Sequence, residues 1–168
     1  MLHILLVAAL LAQGATTPTF DSSRAWEHLR QLVSLGPRAA GSPAIERSRA
    51  YIKAQLATAG VVVTEQSWDD QTPTGRVPMV NLIATIPGAS KERLVIAGHY
   101  DTKRFREFRF VGANDGGSSA AFLIELARVL KSRRNALTIE LLFLDGEEAV
   151  LEWQGNDHTY GRDRKSVV

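Results

Sequence analysis

Three short polar segments combine residue types that can hold a cation or move a proton: Gly98-His99-Tyr100-Asp101, Gly112-Ala113-Asn114-Asp115-Gly116-Gly117 and Asp145-Gly146-Glu147-Glu148. Carboxylates that converge repel one another unless a cation or a proton intervenes. Carboxylate with imidazole is a ligand set suited to zinc. In the adjacent pair Glu147 and Glu148, one carboxylate can bind a metal while its neighbour moves protons on a substrate. Each segment also has a purely structural reading. Asp115 can cap a following helix, Asp145-Gly146 can be a turn whose glutamates favour a helix start, and His99 can be a hydrogen-bonded loop histidine. Taken together, the three segments favour a metal site over these alternatives. The glycine-rich 112–117 stretch lacks the Lys and Ser/Thr of a phosphate loop, and no Gly-x-Ser-x-Gly elbow occurs, which argues against a nucleotide-binding loop and a serine hydrolase.

The elements that must position these segments alternate between helix and strand. A first helix is predicted from about Arg24 to Leu35, with Ala25, Leu29, Leu32 and Val33 on one face and Gly36-Pro37 as its stop. Ser42-Pro43 reads as an N-cap with proline in the first turn of a second helix, which runs to Ala59 with Ile45, Ile52, Leu56 and Ala59 inward and Gly60 as terminator. A short strand at 61–65, a loop or irregular edge hairpin at 67–78, and strands at 80–86 and 94–97 follow. Apolar positions 120, 123, 124, 127 and 130 then predict a helix over 118–130, and the apolar run 137–144 a buried strand. Strand, crossover helix and strand predict an α/β protein, a three-layer αβα sandwich with a mixed central sheet. All three polar segments fall just beyond predicted strand ends or in the loop that follows, the usual place for a site in such a sheet.

The 168 residues suffice for one compact domain, and 45% hydrophobic with 23% charged residues fits a globular chain. A net charge of +2 is too small to imply a nucleic-acid partner. Residues 1–14 carry a short apolar run ending in Ala12 and Gly14, expected as a signal peptide cleaved before Ala15. The run is too short for a stable membrane span, so the expected location is periplasmic or secreted. With no cysteine, no disulfide supports the exported fold. Residues 15–23 read as a leader and 24–162 as the catalytic domain. Arg104, Arg106 and Arg109, interleaved with Phe105, Phe108 and Phe110, make either a basic docking patch or a solvated loop with tucked aromatics.

From Trp26 to Gly161 the sequence resembles the M28 zinc-peptidase superfamily, and within it the glutaminyl-peptide cyclotransferase branch. The broader likeness rests on Gly36-Pro37-Arg38 leading to Gly41-Ser42-Pro43, on His99-Tyr100-Asp101, Asn114-Asp115-Gly116 and Glu147-Glu148. The narrower one rests on 71–75, on Thr102-Lys103, on 110–113, and above all on 145–153 continuing through Asp157 to Tyr160-Gly161. The resemblance implies one Zn2+ held by Asp115 and Glu148, Glu147 as general acid/base, Trp153 lining the pocket, and peptides with an N-terminal glutamine as substrates cyclised to pyroglutamate. The alternative it implies is an M28 aminopeptidase with two Zn2+, in which His99 binds the second metal, Asp101 supports the His99 ring and Glu147 activates water. A third reading, from a different class, is an inactive binding domain. The family pattern needs a further histidine ligand downstream, and His158 lies too near the glutamate pair to match it. The expectation is a catalytic domain incomplete at its C-terminus, inactive as this chain alone, with 163–168 a non-native tail.

Overall fold

The computed structural model describes residues 18–161. The expected signal peptide, the first residues of the leader, and the 163–168 tail lie outside the described residues.

The chain opens with α1 (Ser22–Ser34), whose Asp21 carboxylate accepts the N–H groups of Ser23 and Arg24. This cap satisfies two donors that the first turn leaves without helical partners. Helix α2 (Pro43–Thr58) begins as the sequence predicts, with the Ser42 hydroxyl accepting from Ile45 N–H and Pro43 in the first turn. Its apolar face delivers Ile45, Ile52 and Leu56 into full burial.

Four strands follow: β1 (Val62–Thr72), β2 (Gly75–Ile86), β3 (Ser90–His99) and β4 (Leu137–Leu144), with α3 (Ser118–Lys131) between the last two. They form one sheet in the order β1-β2-β4-β3, antiparallel except for the parallel β3–β4 pair. The fold is therefore α/β with a mixed sheet. On one face Leu82, Ala84 and Ile86 of β2 stand opposite Phe143, Leu141 and Ile139 of β4, so their side chains share that side. They pack with Ile52 and Leu56 of α2 and with Ala120, Leu123, Ile124 and Ala127 of α3 in one core. Among the described residues the helices cover this face.

Of the two readings of 67–78, loop or irregular edge hairpin, the edge hairpin is the one that forms, and it is long and regular rather than irregular. β1 and β2 stay in register from Val62 opposite Thr85 to Thr72 opposite Gly75. The polar residues of β1 lie on an edge strand, and Pro78 stands in the part of β2 that runs past its pairing with β4, so in both places one side of the ladder has no neighbouring strand. The Thr72 hydroxyl closes the turn by donating to Gly75 carbonyl.

Candidate active site

Parallel pairing of β3 and β4 brings two of the polar segments to the same sheet edge. His99 stands opposite Leu144, and Tyr100 N–H donates to Leu144 carbonyl at 3.0 Å. The residues that follow each strand, 100–102 and 145–148, therefore emerge side by side. The third segment enters from the turn Ala113–Gly117 that leads into α3.

His99 is the meeting point. Its Nδ1 lies 3.2 Å from Asp101 Oδ1 and 3.8 Å from Glu147 Oε2, and its Nε2 lies 3.1 Å from Asp115 Oδ1. Burial works against its charged form, but the hydrogen bond and charge of Asp101, with Glu147 and Asp115, lift its pKa to about 9. Asp101 is fully buried, and its other oxygen accepts Glu148 N–H at 3.0 Å. One aspartate thus orients both the imidazole and the start of the glutamate pair. Burial, then the nearby charges of Asp115 and Asp101, raise the pKa of Glu148 to about 7 against a weaker pull from the Trp153 indole N–H. Glu147 is raised too, chiefly by burial, with His99 acting the other way. Asp145 behind them is pushed up to about 7 by burial and by Asp101, while Val80 N–H and Arg49 favour its charged form.

The local geometry bears on the structural readings of these residues. Asp115 makes no side-chain cap of the following helix; its backbone is extended at φ −90°, ψ 113°, and its carboxylate meets His99. Gly116 must be glycine here, with φ +76° and the Asp101 carbonyl 2.3 Å from where a Cβ would stand. Asp145-Gly146 is a turn, with Gly146 at φ +66°, yet no helix follows the glutamates among the described residues. Trp153 is half exposed, donates its indole N–H to Glu148 Oε2 at 3.3 Å and stacks on His158 with ring centroids 4.6 Å apart.

Two anchors were not read from the sequence as parts of the site. Arg38 is fully buried, and its guanidinium donates to five carbonyls: Tyr100, Leu32, Gly36, Val111 and Gly112. Burial lowers its pKa to about 10, with Asp101 acting in the opposite direction. Its backbone N–H also donates to the Thr102 hydroxyl at 2.8 Å. Arg38 therefore fixes the loops on both sides of the acidic cluster. Asp157 does the same for the segment after Glu148. Its carboxylate accepts the N–H groups of Val150, Leu151 and Glu152 and the Tyr160 hydroxyl. From the other side, Lys103 Nζ donates to the carbonyls of Ala149 and Leu151 at 2.8 and 2.5 Å.

The donor set suits a cation in its chemistry: carboxylates and an imidazole crowd together, and Glu148 and Glu147 are biased toward protonation when no cation compensates them. Among the described residues no three such side chains form a complete ligand set. Within the cluster, Asp115 lies against His99 Nε2, and Glu148 accepts the Trp153 indole N–H.

Comparisons with known proteins bear on the same region. A family profile described as "Peptidase family M28" matches residues 81–161. The chain is 36% identical over 153 residues to the glutaminyl-peptide cyclotransferase-like protein of Bos taurus, covering 84% of this chain and 39% of that one. It superposes on a crystal structure of Acidobacteriales bacterium glutaminyl cyclase with a TM-score of 0.80 and 34% identity, over 88% of this chain and 52% of the other. A leucine aminopeptidase precursor from Bacteroides thetaiotaomicron gives 0.74 and 27%, over 85% and 53%. The chain thus spans less than half the length of its Bos taurus relative and about half of these solved structures.

Proposed function

We propose, on the match of residues 81–161 to the profile of peptidase family M28, that this protein serves the zinc-dependent cyclisation of N-terminal glutamine in peptides, yielding pyroglutamate and ammonia. The observation that carries the reading is Glu147, a half-buried carboxylate with a raised pKa, placed beside His99 and next to the Glu148–Trp153 pair. A carboxylate whose pKa is raised by burial is a better proton acceptor than a free one, and can return the proton to a leaving group. The substrate's α-amine attacks the carbonyl carbon of its own side-chain amide, forming the ring C–N bond. Glu147 takes a proton from that nitrogen and gives one to the side-chain nitrogen as its bond to carbon breaks, and ammonia leaves. Nucleophile and carbonyl belong to one residue, so orientation against Trp153 supplies much of the acceleration. Zinc held by Asp115 and Glu148 would polarise the carbonyl oxygen. Asp101 holds the His99 ring and Glu148 N–H in place.

A second reading has its own support. His99 is flanked by Asp101 on one nitrogen and by Asp115 on the other, the arrangement expected of a histidine that binds a second metal. In that case Glu147 activates water, and the protein is an aminopeptidase. An assay of the purified protein against Gln-peptides and aminoacyl-amides separates the readings. Gln-peptides should release ammonia with zinc present and keep every peptide bond. Release of free amino acids would establish the aminopeptidase instead, and absence of both would favour a binding domain.

A further inference from the structure

We infer that residues 103–106 form a subsite for an acidic side chain of the peptide entering the candidate active site, a reading that rests on the peptide-processing function proposed above. After Asp101 and Thr102 the chain runs Lys103-Arg104-Phe105-Arg106-Glu107-Phe108-Arg109-Phe110. Its three phenylalanines pack on one another: Phe105 stacks on Phe108 at 4.5 Å and meets Phe110 edge-on at 5.3 Å, and Phe108 meets Phe110 at 6.4 Å. Such packing gives an exposed loop a defined shape.

A cleft of about 580 Å³ opens against this loop, lined by Lys103, Arg104 and Arg106 and by Leu151 and Glu152 of the segment after the glutamate pair. A smaller cavity of about 40 Å³ reaches Asp101 and Glu148. Thr74, Arg104 and Val150 line both. Arg104 therefore stands where the acidic centre opens into the wide cleft. A peptide with its first residue at Glu147 and Glu148 has this cleft beside it for the residues that follow.

The charges in the cleft select its occupant. Among the described residues neither Arg104 nor Arg106 forms an ion pair, whereas Lys103 is engaged with two carbonyls. Glu107 accepts the N–H of its neighbour Arg106. With Glu152 it sets two acids against the three cations lining the cleft, which leaves a positive excess. Guanidinium groups present paired donors that match a carboxylate. The fitting ligand is a peptide with Asp or Glu at one of the first positions behind its N-terminal residue.

The test is a titration of the isotope-labelled 168-residue chain with three amides, pyroglutamyl-Glu-Glu, pyroglutamyl-Ala-Ala and pyroglutamyl-Lys-Lys, following the arginine Nε–H signals. The acidic peptide should bind about threefold to fivefold more tightly than the neutral one, as expected for exposed pairs, and should move the Arg104 and Arg106 signals. The double variant Arg104→Gln, Arg106→Gln should abolish that preference and leave the neutral peptide's affinity unchanged. Glu152→Gln should widen it. Binding without a charge preference, or a preference that survives the double variant, overturns the subsite alone. Failure of all three peptides to bind overturns the underlying peptide-site reading and the subsite with it.

Discussion

The two chain segments that converge on the candidate site are held by groups of opposite charge and opposite hydrogen-bonding sense. The loops on the β3 side are gathered by Arg38, a buried cation whose partners are backbone carbonyls. The segment after β4 is gathered by Asp157, a carboxylate whose partners are backbone N–H groups and one hydroxyl. Arg38 ties together stretches far apart in sequence, with Tyr100 62 positions away and Gly112 74 away. Asp157 closes a local turn over 5–7 positions. Loss of the first should damage the fold, and loss of the second should damage only the local geometry around Trp153.

The largest effect is therefore expected for Arg38→Met. It leaves the buried carbonyls of Tyr100 and Gly112, and the partly buried one of Val111, without their donor. Removing a buried charged donor in this way costs about 3–5 kcal/mol, a large part of a typical domain's stability. Urea denaturation should show that loss; a change below about 1 kcal/mol would mean that the guanidinium is no more than a filler.

Asp157→Ala should have a smaller and more confined effect. The N–H groups of Val150, Leu151 and Glu152 lose a shared acceptor, at a local cost of about 1–3 kcal/mol. Amide exchange at these three positions should accelerate by about ten- to a hundredfold, while Leu141 in the core stays protected. Asp157→Asn keeps one acceptor oxygen and should fall between. Equal loss of protection at Leu141 would show that the turn is part of the global fold, and the contrast with Arg38 would collapse.

The same contrast explains what the sequence made legible. Helix α2 could be read to within one residue because Ser42, Pro43 and Gly60 act locally, and β4 because an apolar run bounded by polar turns is itself the signal. The acidic neighbours His99, Asp101, Asp115, Glu147 and Glu148 could be gathered because each follows or ends a strand or begins a helix, and parallel pairing of β3 with β4 aligns two of those ends. The regularity and length of the β1–β2 hairpin were obscured because an edge ribbon needs no apolar alternation. Arg38 was hidden for a different reason. Its partners are carbonyls, which every residue carries, so no residue type marks them in the sequence. Asp157 left only a faint local trace, an acid a few residues after the amides it collects.

Acid provides the finest test of the comparison. Burial alone would raise the pKa of Asp157, but the Tyr160 hydroxyl and the N–H groups of Glu152, Leu151 and Val150 outweigh it, and the net shift is downward. A depressed folded pKa means that the carboxylate's contribution is fully present above the ordinary aspartate range and is lost as pH falls through the folded value. Arg38, by contrast, titrates at about 10 and stays charged throughout this range. In a nuclear magnetic resonance titration downward from pH 6, the amide signals of Val150, Leu151 and Glu152 should therefore move together with a single midpoint below that of a free aspartate. The Thr102 amide, which donates to the Arg38 carbonyl, should not follow that midpoint. Three separate midpoints would show that these amides do not share one acceptor, and a midpoint above the free value would mean that burial governs Asp157 rather than its hydrogen bonds.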